Sequence, residues 1–167
     1  MSHPSTRFWN GTVGEVLAIV AVVMILAAIF FPVTGGGGPS LRAACISNVK
    51  QLGLGILLYS EDCDERTPPR DTWMDSIQRW VKNPGIDHCP AVKGADLYGY
   101  AFNPAVTRMN RPSDSTTPLV YDSVNLAKNA SDFVTSLPVP GRHSGRDSIV
   151  YADCHVKAVD PTGKAAP

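Results

Sequence analysis

Charge is scarce in this chain. Asp, Glu, Lys and Arg together make up 18% of the residues and cancel to a formal net charge of zero. No run of Lys or Arg offers a basic face, which excludes an electrostatic nucleic-acid binder. Internal repeats are absent, which excludes a repeat array. Paired C-x-x-C knuckles are also missing, so the cysteines do not spell a structural zinc motif. Neither a nucleophile elbow nor a metal-ligand helix motif occurs. A catalytic set of His143, Asp153 and His155 around an open metal position can be drawn, as can a Ser144 nucleophile beside His143. Without a supporting motif, the expectation is that the chain is not an enzyme.

Among what is present, the longest apolar run dominates. Val16 to Val33 is 18 residues without a charge, VLAIVAVVMILAAIFFPV. At about 1.5 Å per residue it nearly spans a hydrocarbon core of roughly 30 Å, and Val13, Gly14 and Thr34 can complete the span. Phe8, Trp9, Phe30 and Phe31 stand near its ends, where aromatic rings favour the interface. A cleavable signal peptide would have a shorter apolar region ending in a small-x-small site. Ala27-Ala28 followed by Ile29, Phe30 and Phe31 fits that poorly. The run therefore reads as a retained single-pass anchor. Arg7, with no acid before it, favours a cytoplasmic N-terminus and a domain held outside the inner membrane. The expected organisation is an N-terminal stub over 1–12, a transmembrane helix over 13–33, a Gly-rich linker over 34–39 and an extracytoplasmic domain over 40–167. Four glycines in a row, Gly35 to Gly38, mark the linker.

The outer part reads as α+β, a helix packed on a small antiparallel sheet. Ser40 is a plausible N-cap for a helix running to about Glu61. Leu41, Cys45, Val49, Leu52, Ile56 and Tyr59 recur at spacings of three and four and form one apolar stripe. Asp71 starts a shorter helix through Trp73, Ile77, Trp80 and Val81, which Pro84-Gly85 ends. Pro118 to Asp122 reads as a strand. Ser148 to Ala152 and His155 to Val159 read as a hairpin with Asp153-Cys154 at its turn. Such a turn prefers Asp-Gly, so cysteine there carries strain.

Two polar groups stand out. Asp62, Asp64 and Glu65 cluster in one loop, and oxygen ligands of that kind suit calcium. The loop lacks the glycine and distal glutamate of an EF-hand, and the alternative is that Asp62 and Asp64 solvate the end of a helix. His143 either hydrogen-bonds Asp153 and fixes the hairpin or ligates a cation. Glu15, at the lip of the apolar run, either favours the helix dipole from the first turn or pairs with another subunit.

Glu15 followed by VLAIVAVVMILAAIFFPV resembles the N-terminal segment of type IV pilins and type II secretion pseudopilins. Glu15 and Pro32 have that family's spacing. Cys45-Ile-Ser-Asn-Val-Lys-Gln-Leu-Gly-Leu, Asp62-Cys-Asp-Glu65, His88-Cys-Pro90 and Tyr98-Gly-Tyr100 are similar to its later blocks. Arg142-His-Ser-Gly145, with Asp153 after nine intervening residues, resembles the subgroup marked by His, nine residues, then Asp-Gly.

The resemblance implies a pilin-like fold and a structural subunit of a secretion or pilus assembly. Its partners would be sister subunits packed through the N-terminal helix, membrane lipid, and the prepilin peptidase that cleaves and methylates the N-terminus. Glu15 would neutralise the N-terminal amine of a neighbour. The family also gives a precedent for calcium in ordering a loop. It further implies disulfides: Cys45 and Cys89 stand where the family often has cysteine, while Cys63 and Cys154 replace other residues, giving the pairs Cys45–Cys89 and Cys63–Cys154. Separate reduced thiols are the alternative. The sequence departs from the family at three places. The glycine before the cleavage point is Asn10, with Gly11 one residue too late. The glycine run interrupts the family's continuous helix. The terminal Asp-Gly is Asp153-Cys154. A tethered binding or adaptor domain that does not polymerise is the alternative function.

Overall fold

The computed structural model describes residues 12–34, 40–109 and 115–162. The chain divides into two compact units, Met1–Gly38 and Pro39–Pro167. Asn10, Gly11 and the glycine run lie outside the described residues.

The first unit contributes one helix, α1, Thr12–Thr34. Glu15 lies in its first turn, where a carboxylate favours the exposed N–H groups of the helix start. Pro32 falls within its last turns. The transmembrane part of the expected architecture needs correction. Among the described residues no helix is long and apolar enough to cross a membrane. The single-pass description and the inner-membrane placement that rested on it are not supported.

The second unit is a helical layer on a four-stranded antiparallel sheet. Helix α2 spans Leu41–Asp62, and Ser40 caps it, its hydroxyl accepting the Ala43 N–H at 3.2 Å. Its buried face is Cys45, Val49, Leu52 and Ile56, the middle of the apolar stripe, whereas Leu41 is 57% exposed. Two glycines on the same helix let it approach its neighbours. A Cβ at Gly53 would stand 2.7 Å from the Val150 side chain, and one at Gly55 would stand 2.8 Å from Val81. The helix ends with Asp64 and Glu65 both in left-handed conformation, and the Glu65 N–H returns to the Ser60 carbonyl.

Helix α3, Trp73–Ile77, is one short turn rather than the longer helix expected from Asp71. One of its first N–H groups is satisfied from elsewhere: the Met74 N–H donates to Asn129 Oδ1 at 2.8 Å.

Strands β1 (Tyr100–Phe102), β2 (Pro118–Asp122), β3 (Asp147–Tyr151) and β4 (Val156–Val159) pair in sequence order, each antiparallel to the next. Side chains alternate across the sheet. Val120, Val150 and Tyr100 join the cluster under α2 and α3, while Tyr121, Ile149 and Ala101 pack on the opposite face with Leu137 and Val159. Asp122 follows Val120 by two residues and opposes Tyr100, so it emerges at the strand end on the α2 side.

The β3–β4 turn differs from the two-residue form expected. Cys154 N–H bonds the Tyr151 carbonyl and Tyr151 N–H bonds the His155 carbonyl, which leaves three residues between the paired Tyr151 and His155. Cys154 alone in that turn has positive φ, +65°, the position that such three-residue hairpins give to glycine.

Candidate functional site

Four segments far apart in the chain meet beside the end of β2. Helix α2 supplies Cys45, the loop after the Pro84–Asp87 turn supplies Cys89, β2 supplies Asp122 and the loop before β3 supplies His143. Each offers one atom able to bind a metal, and these atoms all lie within 4.8 Å of one another. All four residues are buried, Cys45, Cys89 and Asp122 at 1% exposure or less.

The Cys45 thiol donates to Asp122, 3.4 Å from Oδ1 and 3.5 Å from Oδ2. Cys89 Sγ lies 3.5 Å from His143 Nε2, and Nε2 lies 3.6 Å from Asp122 Oδ1.

A second set of groups holds these four in place. The Tyr100 hydroxyl donates to Cys45 Sγ at 3.4 Å. The Ser148 N–H donates to Asp122 Oδ2 at 2.7 Å. Arg142 reaches in from the side. Its Nη1 donates to the Gly99 carbonyl at 2.8 Å and to Asp122 Oδ1 at 3.3 Å, and its Nη2 donates to the Ser123 carbonyl. Gly99, at φ +87°, makes room for that guanidinium. A Cβ there would stand 2.9 Å from Arg142 Nη1 and 3.2 Å from the Cys89 Cβ.

The loop carrying His143 is equally tight. Gly145 N–H bonds the Gly141 carbonyl and His143 N–H bonds the Arg146 carbonyl, while a Cβ on Gly141 would fall 2.4 Å from the Arg146 nitrogen.

The electrostatics follow from this crowding. The hydrogen bond from Cys45 draws the Cys89 thiol down to about 5 against the cost of burial, with His143 helping. Cys45 moves the other way: its bond to Cys89, then burial and the charge of Asp122, hold its proton on. Burial alone would depress the imidazole of His143, but hydrogen bonds to Asp122 and Cys89 outweigh it and raise the ring to about 9. Burial also lifts Asp147, whose Oδ1 accepts the Arg142 N–H, to about 6. Two side-chain atoms of this region, His143 Nδ1 and Asp147 Oδ2, are buried without a hydrogen-bond partner.

The other residues singled out from sequence fall elsewhere. Asp153 does not reach His143. It accepts the His155 N–H at 3.0 Å and pairs with the His155 ring, which stacks on Tyr151 with centroids 4.4 Å apart. Asp62 accepts the Trp80 indole N–H at 3.2 Å. Arg108 donates to the Asp64 carbonyl and to Glu65 Oε2. Among the described residues these three acidic side chains do not form a converging group with other His, Cys, Asp or Glu side chains.

All four cysteines are free. The expected bridges are therefore corrected: Cys45 and Cys89 do come together, but as thiols within a mixed cluster, and Cys63 and Cys154 are separate. Asp122 and Tyr100 were not apparent from sequence. Their signal was present in the strand PLVYD, where an acid two residues beyond a core valine must point into the core.

No protein-family model, curated protein or solved structure matches this chain.

Proposed function

We propose that the chain is a pilin-like structural subunit that self-assembles through α1. The observation that supports this is the character of that helix. Leu17, Ile19, Val20, Val22, Met24 and Ile25 point in all directions around its axis, and all are at least half exposed. A helix that is apolar on every side needs cover on every side. Copies of the same helix provide it, since β-branched and long aliphatic side chains interdigitate across helix–helix contacts. Glu15 in the first turn then finds a cationic partner on a neighbouring copy, which fixes the stagger between subunits. The α+β unit is the part left free to meet other molecules. A catalytic role finds less support, because Cys89 and His143 are enclosed and a nucleophile must meet its substrate.

The test is the state of the full-length protein purified from its native cells. Light scattering should find particles of many copies, and Val20→Asp should disperse them by placing a charge in every helix contact. N-terminal sequencing of the same material should find a chain beginning near Gly11. A monomer that keeps Ser2 to Asn10 and ignores Val20→Asp would overturn the assembly reading and leave a binding domain that does not polymerise.

A further inference from the structure

The metal-capable atoms of the buried Cys45–Cys89–Asp122–His143 cluster all lie within 4.8 Å of one another. Zinc bonds of about 2.3 Å to sulfur, 2.0–2.1 Å to imidazole nitrogen and 2.0 Å to carboxylate oxygen, set at tetrahedral angles, put S···O and S···N ligand pairs about 3.5 Å apart and an N···O pair about 3.3 Å apart. The corresponding distances are 3.4 Å for Cys45 Sγ to Asp122 Oδ1, 3.5 Å for Cys89 Sγ to His143 Nε2, and 3.6 Å for His143 Nε2 to Asp122 Oδ1. These three edges have tetrahedral ligand spacing, and all four donor atoms lie within 4.8 Å of one another.

We propose that Cys45, Cys89, Asp122 and His143 are the four ligands of a closed, tetrahedral structural site for one zinc-class divalent ion.

The donor set argues for this class of metal. Two sulfurs and an imidazole are soft or borderline ligands that suit zinc, whereas calcium and magnesium take oxygen. Charge also balances. Two thiolates and one carboxylate carry three negative charges against the ion's two positive ones, and the Arg142 guanidinium, 3.3 Å from Asp122 Oδ1, offsets the remainder. Outer partners of the kind that orient metal ligands are already in place. Tyr100 donates to Cys45 Sγ, and Ser148 N–H and Arg142 donate to Asp122. With four protein ligands and no open position, the ion would do no chemistry. It would clamp α2, two loops and the end of β2 together, which is how structural zinc stabilises small domains.

The site is also independent of whether α1 assembles, because every ligand lies in the second unit.

The experiment uses the full-length protein, expressed with zinc in the medium, purified under reducing conditions and desalted. Elemental analysis should find one zinc per chain, retained by Cys63→Ser and lost from Cys89→Ser. Exchange into cobalt(II) should give the visible absorption of a tetrahedral ion together with a thiolate-to-cobalt charge-transfer band. Arg142→Met should weaken zinc binding by about 10- to 100-fold, as removal of an outer partner does. Cys89→Ser alters a fully buried side chain and so tests folding as well, which makes the cobalt spectrum of the unmodified protein decisive alone. A folded, reduced protein that holds no stoichiometric zinc, or gives an octahedral cobalt spectrum without the thiolate band, would overturn the proposal. So would an intact mass from native cells that shows Cys45 and Cys89 joined as a disulfide.

Discussion

Arg142 and Asp122 form an ion pair at 3.3 Å in which the carboxylate is fully enclosed and the guanidinium only 13% exposed. Breaking a pair of this kind leaves a charge in the core without its partner. Arg142→Ala should therefore destabilise the folded protein by about 2–4 kcal/mol, read as a lower urea midpoint at unchanged slope. Arg142→Lys should recover little of this. One ammonium cannot replace a planar fork that reaches Asp122 and the Gly99 and Ser123 carbonyls at once.

Gly99 and Gly145 separate two costs of adding a methyl group. Both have positive φ, +87° and +82°, but a Cβ at Gly145 meets nothing, whereas one at Gly99 stands 2.9 Å from both Arg142 Nη1 and Val92 Cγ2. Gly145→Ala should cost only the conformational strain, about 1 kcal/mol. Gly99→Ala should cost about 1–3 kcal/mol more, because its neighbours are packed and must shift. Thermal unfolding of the two variants side by side checks the difference.

Asp147 sets a pH dependence with a definite sign. Burial raises its folded-state pKa from 3.8 to about 6. The folded protein then holds the proton more tightly than the unfolded chain. The contribution of Asp147 to stability is greatest below pH 4, falls as the pH rises from 4 to 6, and is level above. Two units correspond to about 3 kcal/mol. In chelator-treated protein, Asp147→Asn should be about as stable as the parent at pH 4 and more stable by up to this amount at pH 7. Equal urea midpoints for the two proteins at pH 7 would refute the assignment.

Asn129 caps α3 from a distance, accepting the Met74 N–H at 2.8 Å and donating to Asp75 Oδ2 at 2.7 Å, and does so at φ +57°. Asn129→Gly removes the side-chain bonds but keeps the backbone at ease, a loss of about 1 kcal/mol. Asn129→Ala adds left-handed strain and should lose about 2 kcal/mol. Denaturation of the pair orders them.

The elements were more legible than their meeting points. The three- and four-residue spacing through Cys45, Val49, Leu52 and Ile56 reflects burial of one helix face, so α2 could be read locally. Pro118 to Asp122 was readable as a strand for the same kind of reason. The short α3 was readable too, but not its end at Ile77 or the cap that Asn129 supplies from a distant loop. Nor was the cluster. His143 looked close to Asp153 and His155 only because they are close in sequence, yet the antiparallel pairing turns Asp153 away and brings Asp122 to the ring instead. The apolar run misled in another way: hydropathy reports what a helix avoids and does not say what covers it.

The contacts that build the cluster join residues 77 apart between Cys45 and Asp122 and 54 apart between Cys89 and His143. None of them can form until most of the chain has been made. Helix α2 can wind early, but its Cys45 face has no lasting partner before β2 arrives, and the loop holding His143 comes later still. Non-local closures of this kind slow folding, since chain entropy is lost before the contacts are gained. Refolding of the second unit should therefore be limited by docking of the sheet onto α2, with substitutions at Cys45 or Asp122 changing the folding rate more than substitutions within α2 that face solvent.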